Sequence, residues 1–432
     1  MNKITSINDY FHQHIQVSMD NACMAERSPS WKRSCATIDD IEFVNHGLRR
    51  CVSPVNSGRH YTKNTDDLFD KPIAHSSYFN SLKSPRRSSM VTALEKQSYQ
   101  LHTEILTSMG VDYLKQFPEL DEYTTEAADG HYIKHACHTK KNSEGKLYAA
   151  GFIYALNLKN GLLRPVCVTT NGTNKNQEIP IFRSYIEEQN NKKNKQQKQL
   201  YVYDKAVVDF AWWDKQINNN NYMITVLKVN SVTTFIESIE FDRNDEINTG
   251  IEKYSVYECK NVKINIVEYR DPETGKTHKF ISTLPKSINP GTIAMLYYKR
   301  WTIEKTFNNS KSDFSERKAW SSNINALNSQ MCFTAMTYNI MRVFEETSKA
   351  KRPNCIHPSD KKFNKALKKR QAEAREKGGF VNPLHFQSRI VRICCFTIRT
   401  IYNAILVKRS LKYVISKFAG HLNVRGAENL EH

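Results

Sequence analysis

Tyr297, Arg300, Glu304 and Lys311 lie at i, i+3, i+7 and i+14 within the stretch from Asn289 to Lys311, NPGTIAMLYYKRWTIEKTFNNSK. On a helix, at about 100° per residue, they project at roughly 0°, 300°, 340° and 320°, so all four share one stripe. A carboxylate beside two cations and a phenol can hold a metal ion and phosphates together. The competing reading is a solvated face laced with i,i+4 ion pairs. The helix is predicted from its opening: Asn289 can cap free backbone N–H groups and Pro290 fits the first helical position. Leu296, Ile303 and Phe307, at roughly 240° to 280°, give it a core-facing stripe beside the polar one.

The spacing Y-x2-R-x3-E-x6-K is similar to the Tyr-Arg-Glu-Lys signature of bacterial DDE transposases of the insertion-sequence-four family, and every spacing matches. With each residue at roughly one in twenty, four fixed matches over some four hundred starting points arise by chance at about the per cent level or below. The resemblance covers about residues 90 to 350.

That resemblance implies a triad of acids on separate elements. Glu304 is fixed by the signature. Asp129, in ADGHYIKH, is similar to the family's Asp-Gly segment, with Asp121 as the competing acid. Asp204, in YDKAVVDFAWWDK, matches an Asp ending a short strand, with Ala206 two places on and aromatic Phe210 beyond; Asp209 and Asp214 read as helix-surface acids. Moving a DNA segment means hydrolysing one phosphodiester and attacking another with the freed 3'-hydroxyl. Two Mg2+ ions about 3.5 to 4 Å apart, for which Mn2+ can substitute, activate the nucleophile and stabilise the leaving oxygen, and such hard cations take carboxylate oxygens. Tyr297, Arg300 and Lys311 are then phosphate ligands, Arg offering a planar fork and Lys a point charge. Relatives also stack an insertion-domain aromatic on a flipped base. Phe280 in HKFISTL is the counterpart implied, against the alternative of an ordinary strand-core residue.

The elements that must position these residues follow from periodicity. Residues 1–122 read as a mainly helical, basic N-terminal region that in relatives helps recognise the transposon end. Met90 to Phe117 shows helical spacing closed by Pro118. Strands are predicted at Ala127 to Cys137, Leu147 to Leu158 and Leu162 to Thr170, with Asn160-Gly161 as a hairpin signal. A short helix at Ile179 to Gln189, the strand Leu200 to Asp204 and a helix at Phe210 to Ile217 come next. This order suits a ribonuclease H-like α/β fold, a mixed sheet flanked by helices over residues 123–350. In it the first and fourth strands are neighbours, so Asp129 and Asp204 can stand side by side at strand ends. Residues 223–289 read as a β-rich insertion within that domain, of the kind relatives carry. A helix from Asn323 to Lys349 is followed by a basic helical region, 351–432. It holds the Lys351 to Lys377 stretch, a solvated linker or a phosphate-contacting arm, and a helix pair at His385 to Phe418 in the region that serves dimerisation in relatives. Trp301 and Trp320 are expected in the core.

Composition sets the bounds. A chain of 432 residues is long enough for two to four domains and a sizeable interior. Lys and Arg number 63 against 44 Asp and Glu, a formal charge of +19 that favours polyanions through counterion release. Nucleic acid is the leading partner; a generally basic protein or one drawn to anionic membranes is the alternative. No stretch reaches the length of a membrane span, and Val391 to Val407 is interrupted by Arg392 and Arg399. The N-terminus lacks an apolar secretory core. Ten cysteines without a C-x-x-C pair fit reduced thiols. His131, His135, Cys137 and His138 raise zinc, but a strand sends 138 to the opposite face from the others and no second ligand pair stands nearby.

The expectation is a DNA transposase that acts on double-stranded DNA, meaning terminal inverted repeats and target. It would work as a homodimer in the DNA complex, in the bacterial cytoplasm with the nucleoid and without a membrane. Two other readings are kept: a transposase-derived DNA-binding protein without catalysis, and a metal-dependent nuclease of the same fold without strand transfer.

Overall fold

The computed structural model describes residues 38–53, 57–63, 73–134, 136, 145, 150–169, 178–192, 194, 196–204, 208–227, 233–260, 262–271, 275–313, 318–351 and single residues between 365 and 376; residues 178, 301–302, 304–313, 348–349 and 351 are described through their backbone alone. The zinc candidates His135, Cys137 and His138 and the helix pair expected at His385 to Phe418 lie outside the described residues.

Among the described residues four α-helices precede the sheet: α1 (Asp40–Val52), α2 (Gly58–Lys63), α3 (His75–Lys83) and α4 (Pro85–Ser108). Asp39 and Glu42 form a reciprocal capping box at the start of α1. Ser84 caps α4, with Pro85 in its first turn. The helix expected from Met90 to Phe117 therefore starts earlier and ends at Ser108. Gly110 stops it by adopting φ +71°, a left-handed conformation that suits glycine.

The sheet begins with β1 (Tyr123–Ile133), β2 (Ala150–Asn157) and β3 (Leu163–Thr169), an antiparallel meander. Gly161, at φ +74°, closes the β2–β3 turn, its N–H donating to the Asn157 carbonyl at 2.8 Å. After α5 (Glu178–Lys192), β4 (Lys198–Val202) pairs parallel with β1. After α6 (Phe210–Ile217), β5 (Asn221–Val226) pairs parallel with β4. Then β6 (Thr234–Ser238), β7 (Ile251–Cys259), β8 (Val262–Arg270) and β9 (Thr277–Ser282) extend the sheet antiparallel, joined through β9 to β5. The order is β3-β2-β1-β4-β5-β9-β8-β7-β6. This large mixed sheet flanked by helices is consistent with a ribonuclease H-like fold. β5 opens the block expected as an insertion, yet it pairs in the parallel part of the sheet.

Two long helices follow, α7 (Pro290–Asp313) and α8 (Ile324–Lys351). One sheet face buries Ala127, Phe152, Tyr154, Leu200, Val202 and Phe280 beneath Leu296 and Ile303 of α7 and Met331 and Tyr338 of α8. The other buries Ile153, Tyr201, Tyr203 and Ile266 against Phe182 of α5 and Trp213 of α6. The far side of α8 receives the N-terminal helices, with Phe43, Leu94, Phe333 and Met336 at that contact. Trp320 is half-buried, its ring 6.2 Å from that of Phe333 and 4.3 Å from the Arg50 guanidinium. Among the described residues no helix is long and apolar enough to cross a membrane.

Candidate active site

The parallel pairing of β1 and β4 sets the relation between the two strand-borne acids. Ala127 is in register with Val202, where the ladder ends. Two residues further along each chain come Asp129, still within β1, and Asp204, two residues past the last residue of β4. Side chains alternate along a strand. Ala127 and Val202 face α7, whereas Ala128, Tyr201 and Tyr203 face the opposite side, so both acids share the α7 face. Both are half-buried. The Asp129 carboxylate accepts a hydrogen bond from the Gly130 N–H at 2.8 Å, and Gly130 follows it without a competing side chain.

α7 crosses this face, packing against β1, β4 and β5 and against β7 to β9. Its N-terminus is pinned. The Gly291 N–H donates to the Asn289 Oδ1 at 3.1 Å and to the Asn248 Oδ1 at 3.0 Å, and the Thr292 hydroxyl donates to Glu119 at 2.6 Å. A Cβ on Gly291 would stand 2.2 Å from the Ile247 carbonyl oxygen, so the turn at 246–248 approaches as closely as only glycine permits. Ile293, Leu296, Tyr297, Lys299 and Arg300 are all buried, so this half of α7 is enclosed on every side.

The structure brings Arg300 to Asp129, Nη1 to Oδ2 at 3.7 Å, with the Arg300 side chain 5% and the Asp129 side chain 22% exposed. Solvent reaches the carboxylate and hardly reaches the guanidinium. The Arg300 guanidinium also lies over the Tyr297 ring at 5.3 Å, so Tyr297, Arg300 and Asp129 form one contiguous buried-to-exposed path. Glu304 is on α7 one turn past Arg300, about 6 Å further along the axis, and Lys311 lies near the helix end at Asp313; their side chains are outside the described residues. Among the described residues no three of His, Cys, Asp and Glu stand close enough together to hold a metal ion.

The other candidates fall elsewhere. Phe280 is 1% exposed, its ring 4.9 Å from Tyr297 and stacked at 5.9 Å on His278, so stacking on a base would require it to leave this cluster. The exposed aromatic of the β-rich block is Phe235, at 51%. Asp121 is exposed in the turn that precedes β1, whereas Asp129 lies well inside the strand. Asp209 caps α6 through the Trp212 N–H and pairs with Arg183 at 2.6 Å. Asp214 is exposed on α6, and His131 is buried on β1.

Two features escaped the sequence reading. Glu126, three residues before Asp129, is buried on the opposite face, accepting from the Tyr185 hydroxyl at 2.9 Å and 3.6 Å from Arg164. Burial opposes the Arg164 charge, and Glu126 with Tyr185 and Tyr99 outweighs it, leaving that guanidinium firmly protonated. Lys299 is buried beside Arg300, its ammonium donating to the Tyr113 carbonyl at 2.8 Å. Burial pulls its pKa down to about 8, against a smaller upward pull from Asp112. The signal for Lys299 was in the helical wheel, where it projects at roughly 200°, beside the apolar stripe.

No curated protein matches the chain. Residues 124–340, half of the chain and the whole of the path from β1 through most of α8, match the family model of the transposase DDE domain. The chain therefore belongs to the transposase DDE domain family.

Proposed function

We propose that this transposase is of the insertion-sequence-four type and moves its element by cut and paste, cleaving DNA at terminal inverted repeats and joining the freed ends to a target. The observation that supports it most is the parallel pairing of β1 with β4, from which the chain runs on to Asp129 and to Asp204, together with Arg300 at 3.7 Å from Asp129. DDE transposases use divalent metal ions, and the donor set suits Mg2+ or Mn2+. Asp129, within β1, and Asp204, two residues past β4, are half-buried carboxylates offering hard oxygens.

Asp129, Asp204 and Glu304 would hold two such ions, which when bound would supply an activated water or 3'-hydroxyl and charge for the leaving oxygen. The chain's own groups do the rest. Gly130 holds the Asp129 carboxylate in its rotamer through the backbone N–H. Tyr297 and Arg300 present a phenol and a fork to the scissile phosphate from within the fold, and Lys311, further along α7, meets the flanking backbone. Phe280 takes a flipped base if its cluster opens. The protein works on the bacterial nucleoid as a homodimer, since two ends must be treated together.

The test is cleavage of DNA carrying the element's ends in Mg2+. Asp129→Asn, Asp204→Asn and Glu304→Gln should each lower single-turnover cleavage at least a thousandfold while band shifts persist. Retained cleavage in any one sinks the triad. Band shifts by the unaltered protein with no cleavage in Mg2+ or Mn2+ would instead favour a DNA-binding protein without catalysis, and cleavage without joined products a nuclease.

A further inference from the structure

Lys299 carries an ammonium group buried to 6% exposure in the middle of α7, where it donates a hydrogen bond to the neutral backbone carbonyl of Tyr113. Such burial is costly unless the charge is well held, and the group holding it is itself immobilised. Tyr113 donates its backbone N–H to the Lys159 carbonyl in the β2–β3 turn at 2.8 Å and its hydroxyl to Glu346 of α8 at 2.9 Å. The Arg342 guanidinium lies over its ring at 4.9 Å and hydrogen-bonds its hydroxyl. Tyr113 thus presents its carbonyl from a fixed point joined to the β2–β3 turn and to α8. Lys299 is the bond that ties α7 to that point.

We infer that Lys299 is a positioning residue: its clasp on the Tyr113 carbonyl fixes the rotation of α7 about its own axis, and so the approach of Arg300 and Glu304 to Asp129 and Asp204. α7 is held at Gly291 and Thr292, and Lys299 supplies the second hold, seven to eight residues or about 11 Å further on. Between these holds the helix is packed through its aromatic side chains, Tyr297 against Phe280 at 4.9 Å and Tyr298 edge-on to Tyr269 at 5.7 Å. Side-chain ends on a helix sit about 6 Å from its axis, so a turn of 20° would move them by about 2 Å. Mg2+ demands near-ideal geometry at about 2.0 to 2.1 Å and does not tolerate that displacement. The reason this chain keeps an expensive cation in its interior is therefore geometry at the site rather than stability.

The inference rests on the proposed triad, and the experiment separates the two. Mn2+ binding to the full-length protein without DNA is measured by electron paramagnetic resonance, and thermal unfolding is followed for the same samples. Lys299→Met, close in length and apolar, should unfold at the same or a higher temperature than the unaltered protein. It should also bind Mn2+ at least tenfold more weakly and need correspondingly more Mg2+ for half-maximal cleavage. Lys299→Arg, which keeps a donor, should recover part of the Mn2+ affinity. If Lys299→Met unfolds earlier and binds Mn2+ normally, the residue is a structural strut and the inference is wrong. If Mn2+ binds normally to the unaltered protein and to Lys299→Met alike, while Asp129→Asn abolishes it, the inference fails and the triad stands. If the unaltered protein binds no Mn2+ in an Asp129-dependent way, both fall.

Discussion

Arg300 on α7 and Asp129 on β1 meet across the boundary between helix and sheet, 3.7 Å apart, with the arginine almost wholly enclosed and the aspartate partly exposed. A surface arginine that merely attracts DNA would sit the other way round.

This orientation predicts how Arg300→Gln fails. Because the guanidinium is inside, it can act only at a phosphate drawn into the site, so single-turnover cleavage should fall about a hundredfold, the scale of losing one charge-stabilising donor. DNA affinity and its salt slope should hardly change, whereas a backbone contact would reduce that slope by about one. Cleavage rates and salt-titrated band shifts on the same variant decide between the two.

How far the sequence carried these conclusions depends on which contacts are local. The helix Phe210 to Ile217 was legible in full because its signals are adjacent: Asp209 caps it, and Phe210, Trp213 and Gln216 recur at helical spacing. The β1–β4 adjacency followed from the order of elements. The start of β1 at Tyr123 did not, because Thr124, Thr125 and Glu126 break the apolar pattern. Glu126 is tolerated there only through Arg164 and Tyr185, which arrive from other elements. β5 was assigned to the insertion for the same reason, since parallel pairing with β4 is non-local and leaves no turn signature. The side chain at 280 had to be aromatic either way, and only packing could tell a core residue from an exposed one.

Asp209 provides the control for the acid assignment. Asp209→Ala removes the α6 cap and the Arg183 pair, so thermal unfolding should report a loss on the order of 1 kcal/mol. Cleavage should stay within twofold of the unaltered protein. A thousandfold loss would make Asp209 a member of the triad in place of Asp204.

Glu95 on α4 gives a pH signature. It is fully buried, and burial, only partly offset by Arg164 and Lys96, raises its pKa from 4.5 to about 8. Between those values the folded state holds a proton that the unfolded chain has released, so stability falls as pH rises through the window. Glu95→Gln should match the unaltered protein near pH 4 and exceed it near pH 8, by on the order of 1 to 3 kcal/mol. Equal melting curves at both values would show that the carboxyl is not held protonated.

Phe280 and Phe235 should separate cleanly. Phe280 lies in the core and Phe235 on the exposed edge strand β6. Phe280→Ala should cost about 3 to 5 kcal/mol in denaturant unfolding, while Phe235→Ala should cost little. If a fluorescent base analogue beside the cleavage site is quenched by the unaltered protein and equally by Phe280→Ala held below its melting temperature, Phe280 does not stack on DNA.

The most direct measurement is a crystal structure of the protein soaked in Mn2+, with anomalous scattering used to locate the ions. Density bounded by the carboxylates of Asp129 and Asp204 and by that of Glu304 from α7 is expected. Ions bound elsewhere, or the Glu304 carboxylate more than roughly 12 Å from the other two, a gap beyond what a pair of ions about 4 Å apart can bridge, would contradict the proposed triad.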